Sequence, residues 1–243
     1  MRQDRQHNTL WHSGLPQMRS KAVVRRWGLP EEILDEMMSG NGTVGYKKAS
    51  MIFMQGSPGD ILFCVLSGLV KVCCPVKGRE RITVDLAGPG ELIGFAYVVD
   101  NAGRRTQAFE ARALTDCKLS VMTHERAMKI LDTIDRAALI RAIEHLNAAW
   151  SKALQTRVRL LGLDYRTRLF EVLADLSARF GVKDRRGTLL IPELSHSDFA
   201  EMVGCSRAAV SKLIESLISE GILARSGKRH IILRQDEPSR ASA

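Results

Sequence analysis

The residues best suited to contact a charged polymer lie in HSDFAEMVGCSRAAVSKLIESLI, His196 to Ile218. Two helices joined by a tight turn must bury apolar residues against each other, and they need a small residue where the backbones meet and glycine at the turn. Phe199, Val203, Cys205, Val210 and Leu213 supply the buried set, Ala200 the close approach and Gly204 the turn. The spacing predicts a helix-turn-helix whose second helix turns Ser206, Arg207, Ala208, Ser211 and Lys212 outward. Small, polar and cationic groups on one helix face suit a DNA major groove. Arg207 can donate two hydrogen bonds to guanine O6 and N7, Ser206 and Lys212 can meet a phosphate or a base edge, and Ala208 can touch a thymine methyl. Ser195 is placed to cap the first helix and, with Ser197, to offer that helix end to phosphate.

Downstream, GILARSGKRHIIL (Gly221 to Leu233) alternates in polarity and turns at Ser226 and Gly227, which predicts a two-stranded hairpin. Thr188 to Ile191 makes a third strand and completes a winged helix. Lys228 and Arg229 at the wing tip serve either phosphate contact or the solubility of a strand edge.

These residues need a scaffold, and 243 residues with 45% hydrophobic and 26% charged content can bury a sizeable core. The longest apolar run, Ile61 to Leu66, is far shorter than the roughly 20 residues of a membrane-spanning helix. The first residues lack the apolar stretch of a signal peptide. Five cysteines, Cys64, Cys73, Cys74, Cys117 and Cys205, are odd in number and without CxxC spacing, so reduced thiols in a cytoplasm are expected. The formal charge of +9 and pI near 9.6 favour polyanions. From Leu163 onward, however, 13 Lys and Arg face 11 Asp and Glu. The DNA reading therefore rests on the motif and not on the charge.

Ahead of the motif, Pro30 opens a short amphipathic helix, PEEILDEMM, that ends at Ser39 and Gly40. Between Tyr46 and Met122, short apolar segments alternate with glycine turns at Gly56, Gly59, Gly68, Gly78, Gly88 and Gly90, the texture of an antiparallel sandwich or barrel. From about Asp135 to Leu161 apolar residues recur at helical spacing: Leu139, Ile143, Leu146, Trp150, Leu154 and Leu161. Pairing of this helix with the same helix of a second copy in a parallel coiled coil would bury the stripe; docking onto the chain's own sandwich is the alternative. Gly162 to Asp164 reads as a hinge, with Asp164 capping the next helix.

A glycine-punctuated β domain, a long helix, a hinge and a C-terminal winged helix-turn-helix together resemble the Crp/Fnr family of bacterial transcription regulators, over about Tyr46 to Leu233. VGCSRAAVSKLI is similar to the family's recognition-helix entry, and Gly56, Gly68, Gly78, Gly90 and Gly94 repeat its glycine spacing. The resemblance implies an α+β fold: a jelly-roll sandwich of the cyclic-nucleotide-binding type, a long dimerisation helix and a winged helix-turn-helix. The expected organisation is a partly ordered arm over residues 1–26, an effector domain over 27–134, the dimerisation helix over 135–162, the DNA-binding domain over 163–235 and a flexible tail over 236–243. The family also implies a cytoplasmic homodimer on double-stranded DNA with two-fold-related half-sites, contact with RNA polymerase and a small-molecule effector. The two recognition helices would sit about 34 Å apart.

The effector site departs from the family pattern. Where cyclic-nucleotide-binding members have Gly-Glu followed at a fixed spacing by Arg and a hydroxyl residue, this chain has Gly94-Phe95 and Arg105-Thr106. Arg105 and Thr106 suit a phosphate, but Phe95 removes the carboxylate that accepts a ribose hydroxyl. The positions matching the family's base-contacting pair are Ala153 and Leu154, both apolar, beside the polar Ser151 and Lys152. These differences argue against cAMP. No cysteine precedes Cys64, which argues against an iron–sulfur cluster. Haem is an alternative, with His12, His124, His145 and the Cys73-Cys74 pair as candidate axial ligands. In the recognition helix, Ala208 stands at a position often held by Glu, and Lys212 replaces the usual Arg, so an unfamiliar half-site is expected.

Two other readings compete. A cupin-type metal enzyme would need clustered His and acidic ligands, yet no histidine occurs between His12 and His124, and no GxSxG, P-loop or HExxH pattern is found. A non-enzymatic role is expected. A regulator with no small-molecule effector fits Phe95, Ala153 and Leu154, but gives Arg105 and Thr106 little purpose.

Overall fold

The structure is a computed structural model that describes residues 30–39, 42–76, 81–190, 192–227 and 230–233. The expected arm over residues 1–26 and tail over 236–243 lie outside the described residues, as do Gly78, Lys228 and Arg229. The chain divides into two compact units, one of Met1–Cys74 and Val84–Arg159, the other of Pro75–Thr83 and Leu160–Ala243.

The first unit opens with α1 (Glu31–Met38), entered through Pro30 at φ −55, a value that proline imposes and a helix start tolerates. Ten short strands follow: β1 (Gly42–Tyr46), β2 (Met51–Phe53), β3 (Ile61–Ser67), β4 (Val70–Cys74), β5 (Ile82–Ala87), β6 (Leu92–Ile93), β7 (Tyr97–Val99), β8 (Arg105–Gln107), β9 (Glu110–Ala113) and β10 (Cys117–Thr123). They form two four-stranded sheets, ordered β1-β10-β3-β6 and β2-β9-β4-β5, and a separate β7-β8 hairpin. Val65 and Leu119 from the first sheet meet Val70 and Ala111 from the second in one core cluster, which makes a sandwich. Leu62 and Met122 serve a second cluster with Met37, Ala127, Ile130 and Ala142. Strand β3 is therefore apolar on both faces, which explains its unbroken apolar run. Gly68 closes the β3–β4 turn at φ 86, and a Cβ there would lie 2.3 Å from the Asp116 carbonyl.

The sheet begins earlier than the apolar texture indicates. β1 pairs along its whole length with β10, from Gly42 opposite Val121 to Tyr46 opposite Cys117. Its residues are exposed up to Gly45, so no alternation marks it in the sequence.

After β10 come α2 (His124–Leu131), capped by the Thr123 hydroxyl, and the long α3 (Arg136–Leu161). Early in α3, Ala138 and Ala142 are buried, whereas Leu139, Ile140 and Ile143 are exposed. Leu146 is half-buried, and the side chain of Trp150 lies outside the described residues.

In the second unit, Asp164 caps α4 (Tyr165–Phe180) by accepting from the Thr167 N–H at 3.0 Å. The sheet β11-β12-β14-β13 then combines β11 (Gly181–Asp184), β12 (Gly187–Leu190), β13 (Leu223–Ser226) and β14 (His230–Leu233). Between β12 and β13 lie α5 (His196–Val203) and α6 (Arg207–Ser219). The sheet has four strands where the sequence predicts three. β11 is four residues long and pairs fully with β12, from Gly181 opposite Leu190 to Asp184 opposite Gly187. Among the described residues, no helix is long and apolar enough to cross a membrane.

Candidate nucleic-acid interface and effector cradle

Helix α5 starts with a capping box. The Ser195 hydroxyl accepts from the Asp198 N–H, and the Asp198 carboxylate accepts from the Ser195 N–H at 2.9 Å and from its hydroxyl at 2.6 Å. This satisfies donors that a helix start leaves open. Gly204 ends α5 in the left-handed region at φ 77, which glycine adopts without a Cβ penalty. Its N–H and that of Cys205 both reach the Ala200 carbonyl, at 2.8 and 3.2 Å. Ser206 then caps α6 by accepting from the Ala209 N–H.

Phe199, Ala200, Met202 and Val203 of α5 and Val210, Ile214 and Leu217 of α6 are buried. The expected buried set is therefore corrected at two positions, since Cys205 and Leu213 are only half-buried. The face of α6 that turns inward runs through positions four and three apart, 210, 214 and 217, and Leu213 falls at its margin. Ser206, Arg207 and Ala208 are exposed at the N-terminal end of α6, and Lys212 is exposed on the side away from Val210, Ile214 and Leu217. Ser211 is half-buried, because its hydroxyl donates to the Arg207 carbonyl at 2.9 Å and lies 2.7 Å from His196 Nδ1. Ser195 is exposed and Ser197 half-buried at the start of α5.

Two arginines of α4 brace this arrangement, and no motif announces either. Arg166 donates to the Ser216 hydroxyl at 3.3 Å and to both carboxylate oxygens of Glu220, one of them at 2.9 Å. This bidentate pair, helped by the Ser216 hydroxyl, holds the Glu220 carboxyl down at about 2. Arg168 donates to the carbonyls of Leu161, Leu163 and Val203 at 3.1, 3.0 and 3.4 Å. One guanidinium thus joins the last carbonyl of α3, and that of Leu163 just beyond it, to the end of α5. It also lies 5.3 Å from the Tyr165 ring centroid. His196 likewise falls inside the quoted motif without being singled out by it.

In the sandwich, Arg105 and Thr106 occupy β8, with Val99 and Val98 as their partners across the hairpin. The Arg105 carbonyl accepts from the Gly59 N–H at 2.9 Å, and its guanidinium lies 5.6 Å from the Tyr97 ring centroid. The Tyr97 hydroxyl lies 3.4 Å from Nε2 of the buried His124. Burial, then the Arg105 charge, push that imidazole below its ordinary value, against an opposing pull from Asp60. Gly94 has φ 95, and a Cβ there would sit 2.8 Å from the Ile61 carbonyl. Its own carbonyl accepts from the buried Gln107 amide at 3.5 Å. Phe95 packs against the core cluster that contains Met37, Leu62 and Met122.

The structure therefore brings Arg105 together with Tyr97 and His124, two neighbours that the spacing pattern does not reveal. Leu154 is 65% exposed, and the Ala153 side chain lies outside the described residues, as does His12. His145 is exposed, Cys73 buried and Cys74 half-buried. Among the described residues, no group of three or more His, Cys, Asp or Glu side chains is arranged to hold a metal ion.

A two-sheet sandwich followed by a long helix and a winged helix-turn-helix defines a DNA-binding regulator with a ligand-type domain. The cyclic nucleotide-binding domain model matches residues 43–134, and the Crp-like helix-turn-helix domain model matches residues 167–237. The chain is 26% identical over 192 residues to the CRP-like protein Clp of Xanthomonas campestris pv. campestris, covering 77% of this chain and 82% of that one. It is 29% identical over 197 residues to the cyclic AMP receptor protein of Thermus thermophilus, covering 81% and 86%. The solved structure of the c-di-GMP responsive global regulator CLP of Xanthomonas campestris matches with a TM-score of 0.68 at 23% identity, over 85% of this chain and 100% of that one. The chain belongs to the Crp/Fnr family of transcription regulators.

Proposed function

We propose that two copies pair through α3 and present two α6 helices, about 34 Å apart, to successive major grooves of two-fold-related half-sites in double-stranded DNA. The observation that carries this reading is that α6 buries Val210, Ile214 and Leu217 while Ser206, Arg207 and Ala208 at its N-terminal end, and Lys212 on its outer side, stand exposed. Pairing is supported by the exposed Leu139, Ile143 and Leu154 of α3, large apolar residues that a single copy leaves in water. The regulator acts in the cytoplasm through contact with RNA polymerase and catalyses no reaction.

Arg105 and Thr106 support an anionic small-molecule effector at the sandwich. Phe95 supports a ligand other than cAMP: a ribose hydroxyl without an acceptor costs about 1 to 3 kcal/mol in a closed site, roughly a 5- to 150-fold loss in affinity. The packing of half-buried Phe95 against the core also favours a second reading, a regulator that binds DNA without a small-molecule effector. The cyclic nucleotides named for the relatives, cAMP and c-di-GMP, are the ligands to compare. The test is fluorescence anisotropy with DNA from the region upstream of the chain's own coding sequence, against unrelated competitor, with no ligand, with cAMP and with c-di-GMP. Specific binding that cAMP does not strengthen is expected. Specific binding only in the presence of cAMP would overturn the effector reading.

A further inference from the structure

His196 is the first residue of α5, yet its ring reaches the recognition helix. Its Nδ1 lies 2.7 Å from the Ser211 hydroxyl, which in turn donates to the Arg207 carbonyl at 2.9 Å. A hydroxyl has one proton and a carbonyl has none. With Ser211 donating to Arg207, the proton on the His196–Ser211 contact must come from Nδ1. The neutral ring is thereby fixed in the Nδ1–H tautomer, and Nε2 is left as the site of a second proton.

The surroundings discourage that second proton in the DNA-free protein. Partial burial is the first cause and the nearby cations Arg225 of β13 and Arg207 of α6 the next, while Glu215 of α6 pulls the other way; together they hold the imidazole below its ordinary value. Arg207 belongs to the helix read above as facing DNA, and Arg225 is exposed on the strand that leads into the wing turn. Phosphates drawn to Arg207 and Arg225 would neutralise the charges that repel a proton from His196.

Resting on the DNA-binding reading, we propose that His196 positions Ser211 on the recognition helix and takes up a proton as DNA binds, so that mild acid tightens the complex. By linkage, a group that binds a proton more strongly in the complex makes affinity rise as pH falls through its two titration points. Each unit by which DNA raises the His196 titration point gives about tenfold in affinity per half-site.

The test uses the full-length protein and a mixed-sequence DNA duplex at low salt, with affinity read by anisotropy between about pH 5.5 and 8. His196→Asn keeps an amide donor for Ser211 and does not titrate. The wild-type protein is expected to bind more tightly as pH falls, with His196→Asn matching it at the alkaline end and showing a flatter profile. His196→Ala should bind more weakly than His196→Asn throughout, because Ser211 loses its donor. Equal pH slopes in the wild type and His196→Asn would overturn the inference while leaving the DNA-binding reading intact. No binding at any pH would overturn both. An NMR titration of His196 gives a second readout that does not depend on the variants: a titration point raised in the duplex complex is expected, and an unchanged one would refute the proposal.

Discussion

Polar side chains are used differently in the two units. In the winged-helix unit, support and proposed contact fall to separate residues: Arg166 and Arg168 are tied to Glu220 and to backbone carbonyls, while Arg207 and Ala208 stand exposed at the start of α6 and Lys212 on its outer side. In the sandwich the roles overlap. Phe95, which the resemblance matches to the family's nucleotide-contacting carboxylate, is half-buried against the core, and Arg105 lies over Tyr97. A surface whose contact residues carry no packing can change its specificity without unfolding. A position that packs partly against the core changes its chemistry at some cost to the fold.

The largest effect should come from the core that supports the exposed face of α6. Phe199→Ala removes a fully buried ring and should cost about 3 to 5 kcal/mol in denaturant unfolding. A loss below about 1 kcal/mol would mean that the α5–α6 pair does not depend on this ring.

The comparison is sharpened by Phe95→Glu, which restores the family's carboxylate at a position the structure commits to packing. The exchange removes apolar contacts and puts a charge against Met37, Leu62 and Met122, so stability should fall by about 2 kcal/mol or more. Calorimetry should show no gain in cAMP affinity. Tighter cAMP binding by a stable Phe95→Glu protein would show that the position faces ligand after all.

Arg207→Ala, by contrast, should leave stability within about 0.5 kcal/mol and weaken specific DNA binding by about 1 to 3 kcal/mol, with relaxed preference at one base position. An equal loss on all sequences would instead mark Arg207 as a phosphate contact.

The smallest effect concerns the Arg166–Glu220 brace. The Glu220 carboxyl is held at about 2 against an ordinary 4.5. A lowered folded value means that the carboxylate stabilises the fold above pH 4.5 and loses that contribution as pH falls toward 2. Glu220→Gln should therefore be slightly less stable than the wild type near neutral pH, with the two acid-unfolding curves converging toward pH 2. Parallel curves would show that the pair contributes nothing, a common result for exposed ion pairs.

The helix-turn-helix was legible because its constraints are local. Gly204 ends α5 in the left-handed region and Ser195 caps its start, the uses their spacing indicates, and Ala200 is buried between them. The register of α6 is less legible: Leu213 and Ile214 are adjacent apolar residues, and periodicity alone does not say which faces inward. Strand β11 has no signal in the sequence, since Val182, Lys183 and Asp184 show no apolar alternation, and β1 has none because its residues are exposed up to Gly45. Long-range partners were out of reach. Nothing in the spacing joins Arg168 to Val203, or Tyr97 to His124, since those contacts exist only once separate elements have packed. The sandwich was recognisable from its glycines, but the direction of the Phe95 side chain depends on α1 and α2, which its neighbours in sequence do not specify.

The most direct test of the central claim is selection of DNA from a random duplex pool by the full-length protein, repeated with Arg207→Ala. Enrichment of two related half-sites with centres about 34 Å apart, weakened and relaxed by the substitution, is the result the account predicts. Failure to enrich any sequence, or the same sequence enriched to the same extent by Arg207→Ala, would contradict it.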